Sequence, residues 1–203
     1  MVNDFVVPDA QISYGRLTQA LKEWQIAVEA LTQGELILLL RKGGIREQGG
    51  RFQIPHQRVL LYPTYEHQKP ELLKSNYAAK VQPVATGWHP ETVTLQAWAE
   101  ITHSLPVTVA AQIAALNPLH IWNDAFVRDR LQWQPTQPLT VLLLRVFRLA
   151  QPQIIPYRAA YGGCRSWIEL QHSIELNGTA VLSEAAYDDY VQQVLATLAI
   201  EAF

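Results

Sequence analysis

Apolar residues fall three and four places apart from Leu17 through Leu21, Trp24 and Val28 to Leu31, which predicts one amphipathic helix. Ser13 stands where its N-cap belongs, and Gly34 where a left-handed C-terminal residue is wanted. Two short unalternating apolar runs follow, Glu35–Leu40 and Arg58–Tyr62. They read as paired strands covered on both faces, joined by a long loop, with Pro63 closing the second. A brief edge strand is expected at Phe5–Val7, and a short helix opened by Pro70 carries Leu72, Leu73 and Tyr77. Thr92–Thr102 alternates, with Val93, Leu95, Ala97, Ala99 and Ile101 on one face and Trp98 on the other, as a half-buried strand does. Val107–Leu116 is a short helix, and Asn123 or Asp124 caps another over 125–133. Leu139–Leu149 is a strong strand that Gln153–Tyr157 extends. Asn177-Gly178 signals a two-residue hairpin between Ser173–Leu176 and Thr179–Leu182. Ser183 then caps a last helix with Tyr187, Val191, Val194, Leu195 and Leu198 on one face. The order predicts an α+β fold, a mostly antiparallel sheet or half-open barrel flanked by helices.

Composition narrows the class. With 203 residues, 49% hydrophobic and 17% charged, the chain is expected to form one domain over 1–203 with a sizeable core. A net charge of −2 argues against coating nucleic acid over the whole surface, but leaves room for a local basic site. One cysteine, Cys164, excludes an internal disulfide and a cysteine zinc site, and fits a reducing cytoplasm. No apolar run reaches membrane-spanning length, and the N-terminal residues lack the pattern of a signal peptide. No membrane association is expected.

Chemistry concentrates between residues 41 and 68. Five basic residues (Arg41, Lys42, Arg46, Arg51, Arg58) face one acid, Glu47, across a loop carrying Gly43-Gly44 and Gly49-Gly50. Guanidinium forks beside bare glycine amides suit a phosphate or a carboxylate. The candidate ligand set is Arg41, Lys42, Gly43, Gly44, Thr64, Glu66, His67 and Gln68. Arg41 and Lys42 would hold an anionic group, the Gly-Gly amides would donate to its oxygens, and Thr64, His67 and Gln68 would read a neighbouring polar moiety such as a base. This predicts a non-catalytic binding domain for RNA, DNA or a nucleotide, with no cofactor and no bound metal. A metal-dependent nuclease is the enzymatic alternative, and would need Glu35, Lys42, Glu47 and Glu66 to converge. A protein-interaction or structural module, with these residues only shaping a loop, is the third. His56 and His67 match no metal-ligand spacing, Cys164 reads as a small buried residue, and Trp98 serves either as a stacking platform or as packing beneath a helix.

Leu40–Ile45 (LRKGGI), Leu61–Gln68 (LYPTYEHQ) and Tyr161–Trp167 (YGGCRSW) resemble an uncharacterised bacterial family, frequent in cyanobacteria, known only as a domain of unknown function. The resemblance implies a single cytosolic domain and no particular activity. Gly34, Arg41 and Leu61-Tyr62-Pro63 are similar to the frame of PUA-like and ASCH barrels, which bind RNA or modified bases. Of that frame's Gly-x-Lys-x-x-Glu-x-Arg motif, Gly34 and Arg41 match, while Leu36 and Leu39 replace the lysine and the glutamate.

If nucleic acid is the partner, the acids after Arg165 confine contact to a few phosphates. The affinity should then fall with salt along a logarithmic slope of about −2 to −4, reduced by about one for each phosphate-contacting cation removed, Arg41 or Lys42. Oligonucleotide titrations at several salt concentrations measure it.

Overall fold

Most strands of this protein are buried on two faces, and that decides the architecture. The computed structural model describes residues 14–43 and 52–199. In order they form β1 (Arg16–Trp24), α1 (Gln25–Gln33), β2 (Leu38–Arg41), β3 (Arg58–Thr64), α2 (Ser75–Ala78), β4 (Thr92–Val107), α3 (Ala110–Ala115), α4 (Asp124–Gln132), β5 (Leu139–Pro156), β6 (Trp167–Glu175), β7 (Thr179–Ala180) and α5 (Glu184–Thr197). The seven strands make an open sheet, ordered β2-β5-β4-β3-β1-β6, with β7 paired to β5. Only β1 and β3 run parallel; every other pairing is antiparallel. The expected α+β class with a mostly antiparallel sheet flanked by helices is what the chain adopts.

Successive strand residues supply two separate cores. Leu21, Val59, Leu61, Ala97 and Ala99 pack into a large core with residues of α1, α3, α4 and α5. Ala20, Leu60, Tyr62, Trp98 and Phe147 fill a second core behind the sheet. Trp98 is neither a platform nor beneath a helix: it stacks on Phe147 at 4.1 Å between ring centres and donates its indole N–H to Asn177 O. A register shift in β4 between Leu95 and Ala97 breaks the alternation, so Val93 and Leu95 join Trp98 while Ala97 and Ala99 face the helices.

Four sequence expectations are corrected. The helix expected from Ser13 starts only at Gln25, because Ala20 and Leu21 are both buried and the residues before it form β1. Two-sided burial removes the period-two signal and leaves an accidental helical spacing. β2 and β3 do not pair; β2 lies on β5, and β3 lies between β1 and β4. Pro63 does not end β3, since β4 is registered only with Arg58, Val59 and Leu60, so the proline sits beyond that ladder. Asn177-Gly178 does not close a hairpin, because β7 pairs with β5 and not with β6. Gly178 is required there: its φ is +114°, and a Cβ would lie 1.9 Å from Arg148 O. Phe5–Val7 and Ser13 lie outside the described residues.

The cap expectations at Gly34, Asn123 and Ser183 hold, whereas Trp24 and not Ser13 precedes α1. Gly34 ends α1 at φ 76°, and Asn123 Oδ1 accepts from the amides of Ala125 and Phe126 at the start of α4. Ser183 Oγ accepts from Ala186 N. No helix among the described residues is long and apolar enough to cross a membrane.

His120 is buried beside Lys74, whose ammonium donates to the His120 carbonyl. Burial first, and the Lys74 charge second, push its imidazole down to about 4 from 6.5. Below 6.5 the unfolded chain takes up this proton while the folded chain refuses it until about 4. Stability should therefore fall as pH drops through that window, by on the order of 3 kcal/mol. Denaturation at pH 7 and pH 4.5 should show the loss, and His120→Gln should flatten it.

Candidate functional site

Stretches distant in sequence meet at one cleft of about 360 Å³. Its walls are the C-terminal end of β1, the end of β3 with Tyr65, Glu66 and His67 after it, Arg41 at the end of β2, Arg130 of α4, the turn Trp88-His89-Pro90 with Val93 of β4, and residues 157 and 161–166 between β5 and β6. Because β1 and β3 are parallel, Trp24 and Thr64 are register partners and both strands end at the cleft. The volume lies at the lower end of the roughly 300–1,000 Å³ typical of small-ligand sites.

Charge is arranged in depth. Arg41 Nη1 donates to Glu23 Oε2 at 2.6 Å and to Lys22 O at 3.4 Å, and its guanidinium lies over the Phe52 ring. Glu23 also accepts from Trp24 N. Lys22 is buried, and its ammonium donates to the carbonyls of Tyr161 and Gly163 at 2.7 Å each. Burial, reinforced by Arg165, lowers its pKa. Arg130 sits one helical turn after Phe126, and its guanidinium rests 4.9 Å from that ring. Phe126 is in turn held by Trp122, stacked on it, and by the edge of Trp24. Among the described residues no hydrogen-bond partner or carboxylate pairs with Arg130. Its pKa is lowered by burial first and by Arg41 second, with Glu23 opposing.

Aromatic rings supply the rest of the wall. Tyr65 meets Trp88 edge-on at 6.0 Å, and His89 stacks on Tyr157 at 3.7 Å. Trp88 is 45% exposed, unusual for so large an apolar ring. Tyr62 is only 2% exposed and sits edge-on to Tyr161. Its buried hydroxyl has no hydrogen-bond partner among the described residues. Burial first, with Tyr157 and Tyr161 adding to it, raises its ionisation well above the ordinary range.

The residues read from the sequence divide here. Arg41, Thr64, Glu66 and His67 line the cleft. Thr64 Oγ1 is occupied by Glu23 O. Glu66 accepts from Gly87 N at 2.7 Å and lies 3.4 Å from His67 Nε2, so it anchors the Trp88 turn. His67 has φ 66° and stays 58% exposed at the rim. Lys42 and Gln68 do not line the cleft. Lys42 is buried and donates to Leu131 O; Gln68 Oε1 accepts from Ile26 N, satisfying an open amide in the first turn of α1. Gly43 is buried and also outside the lining. Gly44, Arg46, Glu47, Gly49-Gly50 and Arg51 lie outside the described residues. Glu35 interacts with Tyr77, away from Glu66, so the described members of the nuclease set are not brought together. His56 packs edge-on to Trp167 and does not join His67, and no metal-binding group of His, Cys, Asp or Glu occurs among the described residues. Cys164 is exposed at the cleft, not buried as expected.

Lys22, Tyr62, Trp88, Tyr157 and Arg130 escaped the sequence reading. Only Phe126 and Arg130, four apart on a correctly expected helix, left a local signal.

The profile of the family described as "Domain of unknown function (DUF1802)" matches residues 20–193. No curated protein matches the chain. Among solved structures the chain is similar to the ASCH protein from Zymomonas mobilis, at 17% identity and TM-score 0.45 over 89% of this chain and 94% of that one. A serine-to-alanine mutant of the same protein aligns at 15% identity and TM-score 0.46, over 86% of this chain and 94% of that one. A tyrosine-to-phenylalanine mutant aligns at 14% identity and TM-score 0.44, over 86% and 96%.

Removing one partner of the Glu23–Arg41 pair strands a buried charge. Glu23→Ala should therefore cost on the order of 3 kcal/mol, and the Glu23→Leu/Arg41→Met double variant much less. Urea denaturation of the three proteins decides it; an unchanged single variant would contradict the pairing.

Proposed function

The chain belongs to the DUF1802 family, a domain of unknown function, and we propose that it is a non-catalytic binding domain whose cleft takes one nucleotide, free or as part of RNA or DNA. One observation carries this reading. The Arg130 guanidinium, without a bonded partner among the described residues, lines a cleft walled by Trp88, Tyr65 and Tyr157. A half-buried cation with no counter-charge bonded to it favours a ligand that brings acceptor oxygens. A guanidinium suits an anionic oxygen, and exposed aromatic rings suit the face of a base. Glucose-like ligands would leave the cations unanswered, and plain carboxylates would leave the rings bare.

In this reading Arg41 is held by Glu23 as part of the frame, and Arg130 makes the primary anion contact. Lys22 ties the 161–163 loop to β1. Glu66 positions Trp88 through Gly87, and the side chains of Lys42 and Gln68 serve folding. The partner is met in the cytoplasm by a single domain.

Titration of ribonucleotides and of short RNA and DNA strands should show one site per chain. Arg130→Ala should weaken binding by at least about tenfold, the cost of losing a charged hydrogen bond. Occupancy should also slow alkylation of Cys164, which lines the cleft. No binding by any of these ligands at low salt would defeat the reading, and binding that leaves Cys164 as reactive as before would place it elsewhere.

A further inference from the structure

We infer that the cleft selects a nucleotide ending in a phosphomonoester over one whose phosphate is esterified on both sides. The inference rests on the nucleotide reading above and specifies the charge state the site is built for.

The reason is charge balance within the cleft. Four cations line it, Lys22, Arg41, Arg130 and Arg165, against two acids, Glu23 and Glu66. Glu23 is spent on Arg41. Glu66 is bound by the Gly87 amide and faces His67. Lys22 and Arg165 donate only to carbonyl oxygens, which carry no charge. Arg130 has no bonded partner among the described residues. The surplus is therefore two positive charges, and its two deeper members are drawn out of water by the fold: Lys22 is buried, and Arg130 is partly buried against Phe126. Such charges attract a counter-charge strongly, because solvent screens them poorly. A phosphomonoester carries about −1.5 to −2 at neutral pH and offers three strong acceptor oxygens. A phosphodiester carries one charge and leaves half the surplus unanswered. A fork-shaped guanidinium can also take two of the monoester oxygens at once.

The base end has its own place. Glu66 accepts from Gly87 N, fixing a turn in which Gly87 has φ +81°, and this presents Trp88 beside Tyr65 at the rim. Trp88 exposed at the rim, with Lys22 and Arg130 withdrawn from water, gives the ligand a direction, with its phosphate inward.

Two ligands share this chemistry, a free mononucleotide and the phosphorylated 5′ end of an RNA strand. The experiment is calorimetric titration of the full chain with the four ribonucleoside 5′-monophosphates, their phosphate methyl esters, and one short oligoribonucleotide with a 5′-phosphate or a 5′-hydroxyl. The monophosphates should bind at least about tenfold tighter than the methyl esters, as expected for an added charge-assisted contact. Arg130→Gln, checked for folding by circular dichroism, should reduce that preference to within about threefold, and Arg130→Lys should keep more of it because it keeps the charge. Tight binding of the 5′-phosphorylated strand over its hydroxyl twin identifies a strand end; binding by mononucleotides alone identifies the free nucleotide. Equal binding of monophosphate and methyl ester by the wild-type chain would overturn the inference while leaving the nucleotide reading in place. Failure of every nucleotide and oligonucleotide to bind would overturn both.

Discussion

The Glu23–Arg41 contact at 2.6 Å is the constraint on which the site depends. It joins the end of β1 to the end of β2, strands separated by three others in the sheet order. Both side chains are largely withdrawn from water, so neither tolerates the loss of the other. The same guanidinium reaches Lys22 O, and Lys22 in turn holds the carbonyls of Tyr161 and Gly163. One chain of polar contacts therefore runs from β2 through β1 to the loop before β6. The cleft is the space this chain encloses.

That arrangement separates holding from binding. Arg41, Lys22, Thr64 and Glu66 have their polar atoms committed to the protein, while Arg130 and Tyr62 do not. Arg130 is positioned by packing: Phe126 supports the guanidinium, and Trp24 and Trp122 support Phe126. A cation oriented by aromatic contacts keeps its donors open for a ligand. Preorganised donors of this kind lower the cost of binding, since little ordering remains to be done.

Much of the fold was legible from residues whose environment is local. Gly34, Asn123 and Ser183 occupy the caps their chemistry suggests, and the apolar runs of β2, β3 and β5 read correctly as buried strands. The reading failed where long-range burial overrides the local pattern. β1 carries Ala20 and Leu21 into different cores and so shows no alternation, and Asn177-Gly178 serves a close approach to Arg148 O instead of a hairpin. The site divided along the same line. Arg41, Thr64, Glu66 and His67 stood out as polar residues following strands, and they do line the cleft. Lys42 and Gln68 stood out for the same reason, yet they bond backbone groups of neighbouring helices. Arg130 and Tyr62 could not be found this way, because their meaning comes from the topology that brings α4 and β3 to one opening.

The central claim is that the unpartnered Arg130 of this cleft, and not the basic loop as a whole, receives the ligand. A crystal structure of the chain soaked with a ribonucleoside 5′-monophosphate tests it most directly. Phosphate density is expected at the Arg130 guanidinium, with the base against Trp88 at the rim. Nucleotide density elsewhere on the surface, with this cleft holding only solvent, would contradict it.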